Sequence, residues 1–358
     1  MIRSVFRHLS PILAAVLIAA VAAPTSAEPA GPVVVSEFIY ATAPYPQAHA
    51  STVVETRTGV IAAAWFGGAY ERSPDVEIWF ARRGPAGWET PVSVADGVQA
   101  DGSRLPTWNP VLFQDPEGAL HLFYKTGPSP STWWGMERTS TDDGRSWSPP
   151  RRLPDGILGP IKNKPVVLAD GTWLSPSSTE TPAEEWSIHF ERSEDRGQTW
   201  TSTPPVASPV GLAAIQPSLL FHPDGRLEAV ARTRQGVLSM TWSNDGGRTW
   251  SPLAAIDLPN PNAGADAVTL RDGRQLIVYN HSAHLPGDPG HGPRWPLNLA
   301  LSDDGVTWRK VLTLEDAPIK DGYAYPAIIQ TRDGLVHLTY TYNRERIRHV
   351  VVDPSKLE

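Results

Sequence analysis

The octapeptide Ser140-Thr-Asp-Asp-Gly-Arg-Ser-Trp147 decides the fold of this chain, because it recurs three times further along the sequence. The later copies are Ser193-Glu-Asp-Arg-Gly-Gln-Thr-Trp200, Ser243-Asn-Asp-Gly-Gly-Arg-Thr-Trp250 and, one residue shorter, Ser302-Asp-Asp-Gly-Val-Thr-Trp308. Successive tryptophans lie 53, 50 and 58 positions apart, and a degenerate fifth copy is predicted at residues 82–91, around Trp88. Repeats at such a period indicate stacked supersecondary units.

Each copy of the motif has the residues of a structural turn. The Asp can accept hydrogen bonds from backbone N–H groups of its own turn, and the Gly supplies a backbone position with positive φ. The Trp packs its ring back onto the repeat, where its N–H needs an acceptor. We therefore interpret the motif as a structural element rather than a catalytic or calcium-binding loop, in spite of its acidic residues.

Short strand-like runs fill the sequence between the copies. They are bounded by Gly, Pro or Asp turns, and examples are residues 60–66, 77–82, 119–124, 227–232, 275–279 and 336–342. About 330 residues at about 55 per repeat predict an all-β, six-bladed β-propeller that occupies residues 28–358 as a single domain. The strands at residues 339–352 are expected to pair with the segment at 33–40 and so close the ring.

The composition excludes several classes of function. The 358 residues include no Cys, which excludes disulfides, a lipoprotein anchor and thiolate metal sites. A formal net charge of −7 argues against nucleic acid as a partner, although a few arginines in one pocket suffice for a small anionic ligand. The sequence contains no zinc-protease, phosphate-loop or nucleophile-elbow motif, so no metal or cofactor is predicted.

The first 27 residues have the pattern of a cleavable secretory signal. Arg3 and Arg7 form a basic start, residues 11–23 are an apolar run, and small residues precede a predicted cleavage site before Glu28. The apolar run is too short to span a bilayer comfortably. We therefore expect a periplasmic or secreted protein with no membrane span after cleavage; its oligomeric state cannot be predicted.

The repeats, their period and the signal together resemble the sialidase (neuraminidase) superfamily, in particular bacterial predicted neuraminidases with BNR-type repeats, also called Asp boxes. The resemblance covers essentially the whole mature chain. It implies an exo-acting glycoside hydrolase that releases a terminal acidic sugar from a glycan. It also implies a site with three arginines, a Tyr–Glu nucleophile pair and an Asp acid/base. Guanidinium groups bind the sugar carboxylate, and a tyrosine serves as nucleophile because that carboxylate would repel an anionic one.

Four residues match this pattern by position. Asp75 matches the acid/base, Tyr325 the nucleophile, and Arg232 and Arg294 the second and third arginines. Asp75 follows the position of the first arginine by 26 residues, and Tyr325 lies eight residues before Asp333-Gly334. The resemblance therefore implies that these four side chains converge in one axial pocket.

Two positions depart from the pattern. His49 stands where the family has its first arginine, and Gln216 stands where it has the glutamate that activates the tyrosine. An amide cannot take a proton from a phenol. Glu228 lies four residues before Arg232 and faces the same side of a strand, so we consider it as a substitute base.

Other polar residues leave alternatives open. Lys162 and Asn109 are expected at strand ends or turns near the axis, where they would bind substrate. A uronate-directed lyase or hydrolase would use His49, Lys162 and Tyr325 for proton transfer. A third alternative is a carbohydrate-binding propeller without catalysis. In each case the arginines favour an anionic sugar as the partner.

Overall fold

The computed structural model describes residue 1 and residues 31–183, 185–285, 287–288 and 290–358. Apart from residue 1, the predicted signal peptide lies outside the described residues. Within them, 25 β-strands form six antiparallel sheets, and the one helical element is a 3-10 turn at Pro354–Lys356. The six sheets are the blades of an all-β propeller, as the sequence predicts. The described part of the chain contains no helix with the length and apolarity needed to cross a membrane.

Each blade is built from strands that follow one another along the chain. Blade 1 consists of β2 (Gln47–Glu55), β3 (Ile61–Gly68), β4 (Glu77–Gly84), β5 (Gly87–Trp88) and β6 (Val92–Ala95). Blade 2 consists of β7 (Thr107–Gln114), β8 (Leu120–Thr126), β9 (Trp134–Ser140) and β10 (Arg151–Arg152). Blade 3 consists of β11 (Val166–Val167), β12 (Trp173–Glu180), β13 (Trp186–Ser193) and β14 (Thr201–Ser202).

The remaining three blades repeat this arrangement. Blade 4 consists of β15 (Ala214–Phe221), β16 (Leu227–Thr233), β17 (Val237–Ser243) and β18 (Ala254–Pro259). Blade 5 consists of β19 (Asp266–Thr269), β20 (Gln275–Asn280), β21 (Leu297–Ser302) and β22 (Arg309–Glu315). Blade 6 consists of β23 (Tyr323–Gln330), β24 (Val336–Tyr342), β25 (Arg346–Val352) and β1 (Val33–Phe38).

The two ends of the described chain close the ring inside blade 6. Strand β1 pairs antiparallel with β25, with Ser36 opposite Val350 and Phe38 opposite Arg348. The predicted pairing of the C-terminal strands with the segment at 33–40 is confirmed. Through this pairing the N-terminal segment supplies the outermost strand of blade 6, so the two ends of the described chain meet in one sheet and close the ring.

The hydrophobic core lies between neighbouring blades. One cluster combines Ile78 and Phe80 of blade 1 with Leu112 and Leu122 of blade 2, and all four side chains are buried. Such alternating apolar residues on facing sheets exclude water from the whole inter-blade layer. Because the sheets are packed by their faces, the strand ends and loops remain available at the two ends of the disc.

The Asp boxes join the third and fourth strands of blades 2 to 5, at equivalent positions. In blade 4, Asp245 accepts hydrogen bonds from the Thr249 backbone N–H at 2.9 Å and the Thr249 hydroxyl at 2.6 Å. Ser243 Oγ accepts from the Gly247 N–H at 2.8 Å, and Trp250 Nε1 donates to the Gly247 carbonyl at 3.2 Å. The boxes are thus closed turns whose acidic side chains are used locally. In blade 1 the degenerate copy is replaced by a tight hairpin between β4 and β5.

We expect these boxes to set the acid stability of the fold. Hydrogen bonds to Ser146 and to Thr199 lower the pKa of Asp142 and of Asp195 to about 2. At Asp245 burial opposes the hydrogen bonds, yet its pKa is also about 2. Since these values lie below about 3.9 for an unfolded Asp, the stabilisation is present above about pH 4 and is lost towards pH 2.

Thermal unfolding followed by circular dichroism between pH 7 and pH 2 checks this expectation. The melting temperature should fall below pH 4, and the double variant Asp195→Asn/Asp245→Asn should melt lower at pH 7 and lose less on acidification. Asp155→Asn is the control, because the Asp155 side chain is 94% exposed. An identical pH dependence in the wild type and the double variant would contradict the account.

Candidate functional site

The direction of the strands places the site at one end of the disc. Because neighbouring strands run antiparallel, the loops between second and third strands lie at the same end as the start of each innermost strand. The Asp boxes lie at the opposite end. We call these the loop end and the box end. The loop end carries Asp75, Arg294 and Arg344 on the loops between β3 and β4, β20 and β21, and β24 and β25.

Bulges in the innermost strands aim side chains at the axis. The pairing register of β2, β7, β15 and β23 shifts at the same place, where Ala50, Asn109, Gln216 and Tyr325 have φ of 56°, 37°, 59° and 50°. Positive φ is uncommon for residues other than glycine, and β-bulges re-aim side chains next to functional sites. The bulges therefore lie at equivalent positions in four blades, and those of blades 1, 4 and 6 bring His49, Gln216 and Tyr325 together.

Tyr325 is the centre of this cluster. Its hydroxyl oxygen receives hydrogen bonds from Gln216 Nε2 at 3.2 Å and from an Arg232 guanidinium N–H at 3.3 Å. The His49 ring lies against the Tyr325 ring, with centroids 4.3 Å apart. The guanidinium carbon of Arg294 lies 5.8 Å from the centre of the Tyr325 ring. Residues from blades 1, 4, 5 and 6 thus surround one partly exposed phenol.

Arg232 and Arg294 lie at the same end of the disc and line one cavity of about 400 Å³. The NH1 atom of Arg294 and the Nε atom of Arg232 are buried, and no described residue accepts a hydrogen bond from either. Burial lowers the pKa of Arg294 to about 10, and the neighbouring Arg232 and Arg344 act in the same direction. Buried guanidinium groups with unused donors favour an anionic ligand with planar, paired oxygens.

His49 is a neutral imidazole in this surrounding. Burial is the largest cause that holds its pKa well below the usual range, and the charges of Arg344, Arg294, Arg232 and Lys162 add to it. Its Nδ1 atom lies 3.1 Å from the Thr341 hydroxyl, which fixes the ring on blade 6. The ring therefore stays uncharged beside the arginines, whereas the family has a permanently charged arginine at this position.

Lys162 is buried beside Tyr325, with Nζ 5.8 Å from the centre of the Tyr325 ring. Its Nζ donates to the Pro326 carbonyl at 2.6 Å, to the Ala265 carbonyl at 3.1 Å and to Asn163 Oδ1 at 2.8 Å. Burial lowers the pKa of Lys162 to about 7. These bonds connect the segment before blade 3 to blades 5 and 6. Lys162 therefore holds the backbone next to Tyr325 from below.

The structure separates three predicted residues from this cluster. Glu228 is wrong as a substitute base: its carboxylate bonds to His222 Nε2 at 2.8 Å and packs against Gly305 of the blade-5 box. Four residues along a strand are about 13 Å, so a shared face did not bring Glu228 to the loop end. Asn109 lies on the blade-2 bulge without a described hydrogen bond to Tyr325. Asp75 is exposed on the loop end, where its carboxylate accepts from the Ala69 N–H at 3.1 Å.

Sequence reasoning missed other residues at the loop end. Arg344 donates to Glu71 Oε2 at 2.6 Å, which ties the loop of Asp75 to blade 6. The guanidinium groups of Arg232 and Arg234 lie 5.2 and 4.2 Å from the ring centre of Trp186. One signal was available for the bulges: Asn109, Gln216 and Tyr325 each precede a proline. Among the described residues, no group of three or more His, Asp or Glu side chains is arranged to hold a metal ion.

Comparison with known protein families gives one match. The model of the BNR repeat-like domain matches residues 59–338, which is more than three quarters of the chain. No curated protein sequence matches the chain significantly.

Several solved structures share the fold at low sequence identity. A protein of unknown function from Dyadobacter fermentans is 17% identical, covers 91% of this chain and 99% of its own length, and superposes with a TM-score of 0.73. The Hadza microbial sialidase Hz136 is 18% identical. The match covers 88% of this chain and 67% of the sialidase, with a TM-score of 0.72. The intramolecular trans-sialidase from Ruminococcus gnavus is 14% identical. The match covers 87% of this chain and 96% of the trans-sialidase, with a TM-score of 0.67. At these identities the likeness establishes a sialidase-like fold.

Proposed function

Because this chain belongs to the BNR repeat-like domain family and has a sialidase-like fold, we propose that it is an exo-acting glycoside hydrolase that releases a terminal acidic sugar. Sialic acid or a related sugar is the proposed substrate, and the enzyme is proposed to act in the periplasm or outside the cell.

One observation carries the proposal. A phenol oxygen lies within hydrogen-bond distance of one guanidinium, a second guanidinium lies beside the same ring, and both guanidinium groups line one open cavity. A sugar with a carboxylate on its anomeric carbon matches this arrangement. Arg232 and Arg294 would bind the carboxylate, which brings the anomeric carbon next to the Tyr325 oxygen. A neutral sugar would leave both buried cations without a counter-charge.

The proposed reaction has two steps. In the first, the Tyr325 oxygen attacks the anomeric carbon, the glycosidic bond breaks, and Asp75 protonates the departing oxygen. The phenol proton passes to solvent, since no described carboxylate hydrogen-bonds to the Tyr325 hydroxyl and the low pKa of His49 disfavours proton uptake by its ring. In the second, Asp75 takes a proton from a water that attacks the anomeric carbon, and the Tyr325 oxygen leaves and recovers a proton from solvent. Asp75 must approach the substrate from its exposed loop.

The lack of a described carboxylate partner for Tyr325 also favours a second candidate, a uronate-directed lyase. In that reaction Tyr325 or His49 removes the proton next to the uronate carboxylate, and Arg232 and Gln216 stabilise the charge that develops on the carboxylate. The bond from the sugar carbon to the glycosidic oxygen then breaks, the group that removed the proton returns it to the leaving oxygen, and a carbon–carbon double bond forms in the remaining sugar. The same pocket therefore fits two reactions with different products.

Incubation of the purified protein with sialyl, Kdn, glucuronyl and rhamnosyl glycosides tests the proposal. We expect free acidic sugar, quantified by nuclear magnetic resonance, from at least one acidic substrate and none from the neutral rhamnoside. An ultraviolet-absorbing unsaturated uronate instead of free sugar would support the lyase. If no acidic substrate is cleaved, neither reaction stands.

A further inference from the structure

Arg294 separates two cavities at the loop end. The first cavity, of about 400 Å³, lies towards Trp186 and Arg232, and the second, of about 340 Å³, lies towards Trp295 and Arg344. Gly292 and Arg294 line both. Either volume lies within the range of small-ligand sites. Gly322 packs closely against Arg294 at the second cavity, where a Cβ at position 322 would lie 2.6 Å from the Arg294 Cβ.

The lining of the two cavities is positively charged. Its described part contains one carboxylate, Asp321, and five cations, which are Arg232, Arg234, Arg294, Lys320 and Arg344. The chain as a whole has a formal net charge of −7. Local charge of the opposite sign to the whole protein indicates recognition of anions at this place. A single sugar carboxylate, bound by Arg232 and Arg294, leaves the cations of the second cavity unexplained.

Arg344 lines the second cavity and is not among the residues that line the first. Lys162, Arg232 and Arg294 lie within 6 Å of the Tyr325 ring centre. Arg344 lies in the turn between β24 and β25, where its side chain is 23% exposed. The bond to Glu71 uses one N–H of a group that has five. Glu71 therefore fixes the guanidinium while other N–H groups can face the second cavity.

We propose that the second cavity binds a second anionic group of the substrate, so that the substrate is an oligosaccharide with negative charge on two neighbouring residues. This inference rests on the proposed function. One carboxylate lies between Arg232 and Arg294, and the next anionic group lies between Arg344 and Lys320. Trp295, partly buried at the edge of the second cavity, supplies an apolar surface for the second sugar ring. The second group is a carboxylate or a sulfate ester, which share this recognition chemistry.

The test compares ligands with one and two anionic groups. Hydrolysis-resistant S-linked probes are used: the methyl thioglycoside of an acidic sugar, its S-linked dimer, and the single sugar with a sulfate ester. Titration calorimetry measures their affinities for the wild type, Arg344→Gln, Lys320→Gln and Arg332→Gln. The last variant is the matched control, because Arg332 lies at the box end, away from both cavities. Its Nε atom lies 3.0 Å from Glu55 Oε1, and this ion pair joins blade 6 to blade 1.

In the wild type we expect the dimer, the sulfated sugar or both to bind at least about tenfold more tightly than the single acid. This ratio should fall towards one in Arg344→Gln and Lys320→Gln and be retained in Arg332→Gln. Tighter binding of the S-linked dimer would identify the second anionic group as a carboxylate, and tighter binding of the sulfated sugar would identify it as a sulfate ester. Equal affinity of the wild type for all three probes, or a ratio that survives both variants, overturns the inference while single-acid binding still supports the proposed function. Failure of every acidic probe to bind overturns both.

Discussion

Replacing Tyr325 by phenylalanine is expected to reduce turnover of an acidic glycoside by about a hundredfold or more. Phenylalanine keeps the ring that packs on His49 and loses the oxygen that is proposed to attack the sugar. The fold should be retained, because Tyr325 contributes its hydroxyl to the site rather than to the core. Steady-state kinetics and thermal unfolding of the purified variant measure both quantities.

Tyr323→Phe is the matched control for this variant. The Tyr323 side chain is buried, and its hydroxyl donates to the Ala317 carbonyl at 3.0 Å. Its removal should cost about 1 kcal/mol of stability and leave turnover near the wild-type value. Near wild-type turnover in Tyr325→Phe, together with loss of activity in His49→Ala, would refute the role of Tyr325 as nucleophile and leave the pocket in place.

Replacing Arg294 by glutamine is expected to have opposite effects on activity and on stability. The kcat/KM for an acidic sugar should fall by about a hundredfold or more, because one of the two guanidinium groups that bind the carboxylate is lost. The melting temperature should rise. Burial and the nearby Arg232 and Arg344 lower the pKa of Arg294 to about 10, so the folded state disfavours its charge, and a neutral side chain removes that penalty.

Arg309→Gln is the control for the charge change, since Arg309 is exposed in the same blade at the box end. It should leave both kcat/KM and the melting temperature nearly unchanged. A melting temperature that falls together with activity in Arg294→Gln would show that Arg294 is a structural residue. Unchanged kcat/KM would remove it from the site.

The fold was predictable because its turns are repeated in the sequence. Four Asp boxes give the blade period, and the box hydrogen bonds are local enough that eight residues contain the whole turn. Ring closure followed from counting blades, which left the sixth blade to be completed by the two ends of the chain. The degenerate copy around Trp88 was predicted at the connection that follows the third strand of blade 1. There the chain turns in a short hairpin, which does not require the Asp of the box.

The site was predictable in part. A sequence pattern gives the face of a strand on which a residue lies, but it does not give the end of the propeller near which the residue lies. Alternation predicts the face of a strand on which Glu228 lies, and it does not predict that Glu228 and Arg232 lie near opposite ends of β16. Tyr325 and Gln216 were assigned from the family pattern, whereas the bulges that aim them depend on strand pairing. Arg344 lies in a turn outside any repeat, and its partner Glu71 is 273 residues away, so no local signal identified the pair.

The most direct test of the central claim is a mass measurement of the covalent intermediate. A fluorinated acidic sugar with a good leaving group should react with the protein and leave a sugar attached, because fluorine next to the anomeric centre slows the second step. We predict a mass increase of one sugar residue that peptide mapping assigns to Tyr325 and that does not form in Tyr325→Phe. A sugar attached to a different residue, or hydrolysis of the natural substrate with no covalent adduct under any condition, would contradict the account.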